Sequence, residues 1–114
     1  VIKTSNNGKT VASGDVNKTI VLWDAETKEI ICDNFCFHLS RVFSIDWSSD
    51  DKFLISTSLD NSAIYWDVEN KKRLKQFHAL DIDLALSCSF YQNDNHFVVG
   101  GHSCSPRIIP LPNK

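Results

Sequence analysis

Short runs in which apolar and polar residues alternate make up most of this chain, and each run is closed by a polar turn. No stretch carries the apolar period of a helix. The runs "TIVLWD" (19–24) and "SAIYWD" (62–67) end alike, in a Trp-Asp pair, and the two pairs lie 43 residues apart. Laid over one another without a gap, "VASGDVNKTIVLWD" (11–24) and "LISTSLDNSAIYWD" (54–67) each read as strand, turn, strand. Turn chemistry falls at Asp15 to Lys18 and at Asp60 to Ser62. A further turn stands ahead of each, at Asn6-Asn7-Gly8-Lys9 and at Ser48 to Lys52. Before the latter comes "RVFSIDW", whose Val42, Ile45 and Trp47 predict another strand. After each Trp-Asp comes a polar turn and an outer run, "EIICDNF" (29–35) and "RLKQF" (73–77). The pattern therefore predicts four short antiparallel strands per unit, built repeatedly.

A third unit is degenerate. Shifting by another 43 residues places Ile109 over Trp66, Pro110 over Asp67 and Val99 over Ser56, so the signature letters are lost. Strand character survives in "ALSCSF" (85–90), "FVVGG" (97–101) and "RIIPL" (107–111), after three extra residues in the loop that follows His78. The unit stops before an outer strand.

Composition narrows the function classes. At 114 residues and 42% hydrophobic content the chain has the makings of an ordinary globular core. A formal charge of −2 leaves no footprint for nucleic acid or an anionic membrane surface, so neither is expected as a partner. The densest basic run, Lys71-Lys72-Arg73, falls in a turn and reads as a solvated hairpin tip. No apolar stretch is long enough to span a bilayer and no signal-peptide pattern opens the chain. Val1 falls in the middle of a repeat, which predicts a piece of a longer protein. Cys32, Cys36, Cys88 and Cys104 are expected as reduced thiols in a cytosolic setting. There the sequon Asn17-Lys18-Thr19 carries no meaning.

With the repeat in hand, the chain resembles the WD40 repeats of a β-propeller. The resemblance implies an all-β fold of propeller blades, about two and a half of them, with the remainder of the propeller in the parent chain. Residues 1–37 correspond to a partial blade, 38–77 to a complete one and 78–114 to a degenerate, incomplete one. It also implies that His38, Ser56, Asp60 and Trp66 form one hydrogen-bonded chain, from the indole N–H to Ser56, from Ser56 to His38 and from His38 to Asp60. The chemistry is coherent. An indole only donates, a hydroxyl both accepts and donates, and a carboxylate holds an imidazole in one tautomer. In the first unit Asn17 stands for the aspartate, and only Ser13 and Trp23 remain of the four. Phe37 stands where the family usually places a glycine before the histidine.

Two sharper readings compete with this one. Ser56, His38 and Asp60 have the membership of a hydrolase triad, yet a hydroxyl committed to an indole donor is no open nucleophile. Cys32, Cys36, His38, His102 and Cys104 are zinc-competent, but their spacing fits no standard finger. Alternation along the outer strand is expected to send Cys32 and Cys36 to one face as packing residues. Phe35, Phe37, Phe43, Trp47, Phe53, Phe77 and Phe90 read as core between neighbouring units. The expectation is thus a protein that is not an enzyme and holds no cofactor or metal.

A finer resemblance concerns the partner. "FHLSRVFSIDWSSDDKFLISTSLDNSAIYWDVE" (37–69), with "GDVNKTIVLWDAETKEI" (14–30) before it, is similar to repeats near the C-terminus of the actin-interacting protein 1 family. His78-Ala79 matches that family's "AH" in reversed order. The family has two seven-bladed propellers and promotes actin filament disassembly with cofilin, which would make actin and cofilin the partners and the cytoplasmic cytoskeleton the location. The alternative is a histone-chaperone or chromatin assembly factor propeller, whose blades carry a run similar to "SLDNSAIYWDV" (58–68). In either case binding is expected on the loops at one end of the blades, at Leu39-Ser40-Arg41 and Leu59 to Asn61. Arg41, Leu59 and Asn61 are the candidate contacts.

Overall fold

The computed structural model describes residues 1–14, 18–36, 38–77, 85–91, 93–101 and 106–111. Asp15, Asn17, Phe37, the His78-Ala79 pair, His102 and Cys104 lie outside them. The described residues form three antiparallel sheets and no helix. The first contains β1 (Ile2–Thr4), β2 (Thr10–Gly14), β3 (Ile20–Asp24) and β4 (Ile30–Phe35), side by side in chain order. The second repeats that order with β5 (Val42–Trp47), β6 (Phe53–Ser58), β7 (Ala63–Asp67) and β8 (Lys72–Phe77). The third holds β9 (Ala85–Tyr91), β10 (His96–Gly101) and β11 (Arg107–Pro110), with no outer strand among the described residues.

Register carries the repeat from one sheet to the next. Val11 faces Trp23 across the second and third strands, Leu54 faces Trp66, and Phe97 faces Ile109. Turn backbone repeats too. Lys18 and Asn61 occupy the same place with φ of 72° and 62°, as do Lys28 and Lys71 with 65° and 55°.

Each sheet buries one face on its neighbour. Ala12, Ile20, Leu22, Cys32 and Phe35 of the first sheet pack on Val42, Ile45, Trp47, Leu54, Ile64 and Trp66 of the second. The other face of the second sheet sets Ile55, Ala63 and Tyr65 against Cys88, Phe97 and Val99 of the third, with Phe53, Phe77, Phe90 and Ile109 around them. The second sheet is therefore covered on both sides, and every residue of β7 is buried. At Gly14 the first sheet lies tight against the second. A Cβ there would lie 2.8 Å from Val42 Cγ1, so only hydrogen fits.

The outer strand departs from simple alternation. β4 buries every third residue, because its pairing with β3 shifts register between Ile20 and Leu22 and again between Leu22 and Trp23. Cys32 is buried, while Cys36 lies beyond the strand end and is exposed. The two cysteines do not share a packing face.

Candidate functional site

The loop leading into β5, strand β6, the β6–β7 turn and strand β7 converge on one buried histidine. Trp66 on β7 donates its indole N–H to Ser56 Oγ on β6 at 2.8 Å. Ser56 Oγ also lies 2.8 Å from His38 Nε2, and His38 Nδ1 lies 3.3 Å from Asp60 Oδ2. Ser56 and Trp66 are fully enclosed and His38 is nearly so. The proton inventory closes with neutral imidazole: Nδ1–H faces Asp60, bare Nε2 accepts the Ser56 hydroxyl, and Ser56 accepts the indole. Burial pushes the His38 pKa below its ordinary value, against the pull of the Asp60 charge. Burial by itself would raise the Asp60 carboxyl. Hydrogen bonds from Ser62 and Leu39 N–H, together with His38, outweigh it and hold the carboxyl low.

Several members of this cluster were not anticipated. Ser62 Oγ donates to Asp60 Oδ1 at 2.5 Å and sits 3.3 Å from His38 Nδ1, so the imidazole proton is shared between a carboxylate and a hydroxyl. Leu39 N–H donates to Asp60 Oδ2 at 2.7 Å, and Ser62 N–H to Oδ1 at 2.9 Å. Ser58 Oγ donates to Ser40 O at 3.0 Å and receives Asp60 N–H at 3.2 Å. Asp-x-Ser in a turn is the signature of a side chain that bonds the backbone two residues on, and that signal was available for Ser62. The contacts of Ser58 and Leu39 depend on where the preceding loop lies in space.

The order of contacts is that of a hydrolase triad, but the nucleophile position is closed. Ser56 has no exposed surface and its oxygen is held by both indole and imidazole. Both His38 nitrogens are occupied in the same way, which leaves neither for a metal. Among the described residues no group of three His, Cys, Asp or Glu side chains is placed to hold a metal ion. Burial pushes the Cys88 thiol up to about 12, so it stays protonated.

The second letter of each Trp-Asp pair shapes the next turn. Asp67 Oδ1 accepts Asn70 N–H at 3.0 Å, and Asp24 Oδ1 accepts Glu26 and Thr27 N–H at 2.9 and 3.0 Å. The first unit keeps the indole bond as well, from Trp23 to Ser13 at 2.9 Å.

Above the histidine the network reaches the surface. Leu59 N–H donates to Arg41 O at 2.9 Å and ties the leading loop to the β6–β7 turn. Leu39 is 75% exposed and Leu59 45%. Arg41 is exposed. Asn61 is half-buried in the left-handed region, where asparagine is well tolerated. Of the three candidate contacts, Arg41 and Leu59 thus present surface, and Asn61 chiefly shapes the turn. The result is a surface that presents one cation and two apolar side chains on loops tied together by the Leu59–Arg41 backbone bond.

Comparison with known proteins identifies the architecture. The model of the WD domain, G-beta repeat, matches residues 2–24 and 31–67. The β-propeller domain of Cps50 (Swd1) from Myceliophteria thermophila superposes with a TM-score of 0.88 at 22% identity, over 98% of this chain and 34% of that one. The 66 kDa stress protein of Physarum polycephalum is 28% identical over 98% of the chain. Actin-interacting protein 1-2 of Arabidopsis thaliana is 30% identical over 95%, and a chromatin assembly factor 1 subunit of Gallus gallus 31% identical over 60%. The chain spans only 18%, 18% and 16% of the lengths of these three relatives. The three sheets are successive blades of an open, partial propeller.

Proposed function

Because the chain belongs to the WD40 repeat family, a family of interaction scaffolds, we propose that it is part of an actin-interacting protein 1-like factor that acts with cofilin on actin filaments. The observation that carries this reading is the length of the match. Similarity to actin-interacting protein 1-2 runs across 95% of the chain, through all three units, whereas similarity to the Gallus gallus chromatin assembly factor covers 60%. A motif shared by many blades produces a local match, and a match that continues through a degenerate unit is harder to reach by convergence. A chromatin role is the second reading, favoured by the comparable identity of that factor, at 31%.

In this reading the Leu39–Arg41–Leu59 rim contacts the partner. The buried chain from Trp66 to Asp60 serves it from below: Asp60 fixes the backbone of Leu39, and Ser58 fixes Ser40. A rim held this way loses little freedom on binding, and that lowers the entropic cost of the contact. A composite surface of two proteins offers the rim two sets of contacts at once. Arg41 is suited to an acidic patch.

The test is co-sedimentation of the full-length protein with actin filaments, with and without cofilin. Stronger binding to cofilin-decorated filaments is expected, and Arg41→Glu should weaken it several-fold while leaving the unfolding midpoint unchanged. Equal sedimentation with and without cofilin, together with tight capture of histones H3–H4, would move the assignment to chromatin.

A further inference from the structure

Three turns at the same place in the three units share a left-handed backbone. Gly8 has φ of 75°, Asp51 of 61° and Asp94 of 65°, and the positions are spaced by 43 residues. Each lies in the hairpin between the first and second strands of its sheet. Glycine enters this region freely, whereas a residue with a Cβ is held there at a cost. The first unit uses glycine. The other two use aspartate.

The turn itself does not call for that carboxylate. In the second unit Ser48 Oγ donates to Asp50 Oδ1 at 2.6 Å, Lys52 N–H donates to the same oxygen at 3.1 Å, and Phe53 N–H donates to Ser48 Oγ at 3.0 Å. In the first unit Ser5, Asn7, Lys9 and Thr10 make the same three bonds at 2.8, 2.9 and 3.0 Å. The closure is equivalent with Gly8 in place.

The carboxylates reach elsewhere. Asp51 Oδ1 accepts Asn6 N–H at 2.7 Å and the Asn6 amide at 3.0 Å, while Oδ2 accepts Asn7 N–H at 2.9 Å. Asp94 Oδ2 accepts Ser49 N–H at 3.0 Å and the Ser49 hydroxyl at shorter range. Asn6 and Ser49 are themselves 43 residues apart. The same bridge is therefore built twice, each time from the left-handed turn of one blade to the first turn of the blade before it.

We propose that Asp51 and Asp94 are blade-docking residues: each carboxylate grips the first turn of the preceding blade, Asp51 through the N–H groups of Asn6 and Asn7 and Asp94 through the N–H and hydroxyl of Ser49, at the position the first unit fills with glycine. The partner each fits is a neighbouring blade whose turn presents a backbone N–H and a second donor beside it to an anion. The device has a direction. Gly8 carries no carboxylate, so the first unit has no such grip on a blade ahead of it.

The test uses a reversal of sign in the full-length chain. Lys28 is also left-handed, with φ of 65°, and its exposed side chain makes no bond to the described residues. Lys28→Gly relieves backbone strain and should leave the melting midpoint unchanged or raise it. Asp51→Gly relieves the same strain, yet it should lower the midpoint and speed amide exchange several-fold in the peptide holding Asn6 and Asn7. Asp51→Asn keeps one acceptor oxygen and should fall between. Asp94→Gly should speed exchange at Ser49 and leave Asn6 and Asn7 unaffected. The proposal is overturned if Asp51→Gly raises the midpoint as Lys28→Gly does. It is equally overturned if exchange at Asn6 and Asn7 does not change.

Discussion

The first and second blades carry the same fourteen-residue frame, strand, turn and strand ending in Trp-Asp, yet they put it to different use. In both, the indole donates to a serine on the neighbouring strand, at 2.9 and 2.8 Å. Trp66 is fully buried, its ring stacked on Phe35 of the preceding blade with centroids 4.4 Å apart. Trp23 is half-buried, for no sheet formed by the described residues lies on its side of the first blade. Ser56 passes its hydrogen bond on to His38 and Asp60, and Ser13 has no such continuation among the described residues. The lesson is that the local motif secures the indole bond, while a neighbouring blade turns that bond into a buried network. Once water is excluded, each unmade bond in such a network costs more.

The largest expected effect lies at the interface that buries Trp66. Phe35 and Phe77 end the outer strands of the first and second blades and face Ile20 and Ala63 at the same register position. Phe35→Ala should cost about 3–5 kcal/mol in equilibrium denaturation, because it removes a stacked ring from a closed core. Phe77 is only partly buried, so Phe77→Ala should cost clearly less. Equal losses would mean that the two inter-blade faces are equally closed.

Next come the two tryptophans. Trp66→Phe should destabilise by about 1–3 kcal/mol, from the void and from the hydrogen bond lost to Ser56. Trp23→Phe should cost less than about 1 kcal/mol, because water can reach the Ser13 hydroxyl. His38→Ala combined with Trp66→Phe should fall short of the sum of the single losses, since both act on Ser56. Additive losses would mean that the network is not one unit.

The smallest effect is pH dependence, and it too separates the blades. His38 is held below its ordinary 6.5 and Asp60 below 3.8, so for both groups the unfolded chain binds the proton first. The stability each contributes is complete above those values. It is lost as pH falls, first through 6.5 and then through 3.8. His38→Gln should flatten the upper limb and leave the lower one, as followed by thermal melts across that range. The Ser13–Trp23 pair of the first blade holds nothing that titrates. An upper pH limb of similar size surviving in His38→Gln would place its origin in a group other than His38.

The alternation of apolar residues and the spacing of Trp-Asp were enough to read strands and hairpins, because a blade is made by neighbours in sequence. The membership of the His38 cluster was legible through the family resemblance. Ser62 could have been added from its spacing to Asp60. The even alternation expected of the outer strand fails because β4 shifts register against β3 within residues 30–35 and ends before Cys36. Nothing in the local sequence signals those shifts.

What the sequence by itself determined is each unit's inner fabric: strand order, turn positions, the indole–serine bond and the aspartate that closes the next turn. These need only residues close along the chain. Tertiary structure alone decided which of two matching tryptophans is buried, which face of each sheet meets a neighbour, and where Asp51 and Asp94 send their carboxylates. Those contacts join residues of different blades, more than thirty positions apart at Phe35–Trp66 and more than forty at the two aspartates, and their geometry exists only once one sheet has stacked on the next. Stacking is a collective result of burying whole faces, and no single turn or strand encodes it.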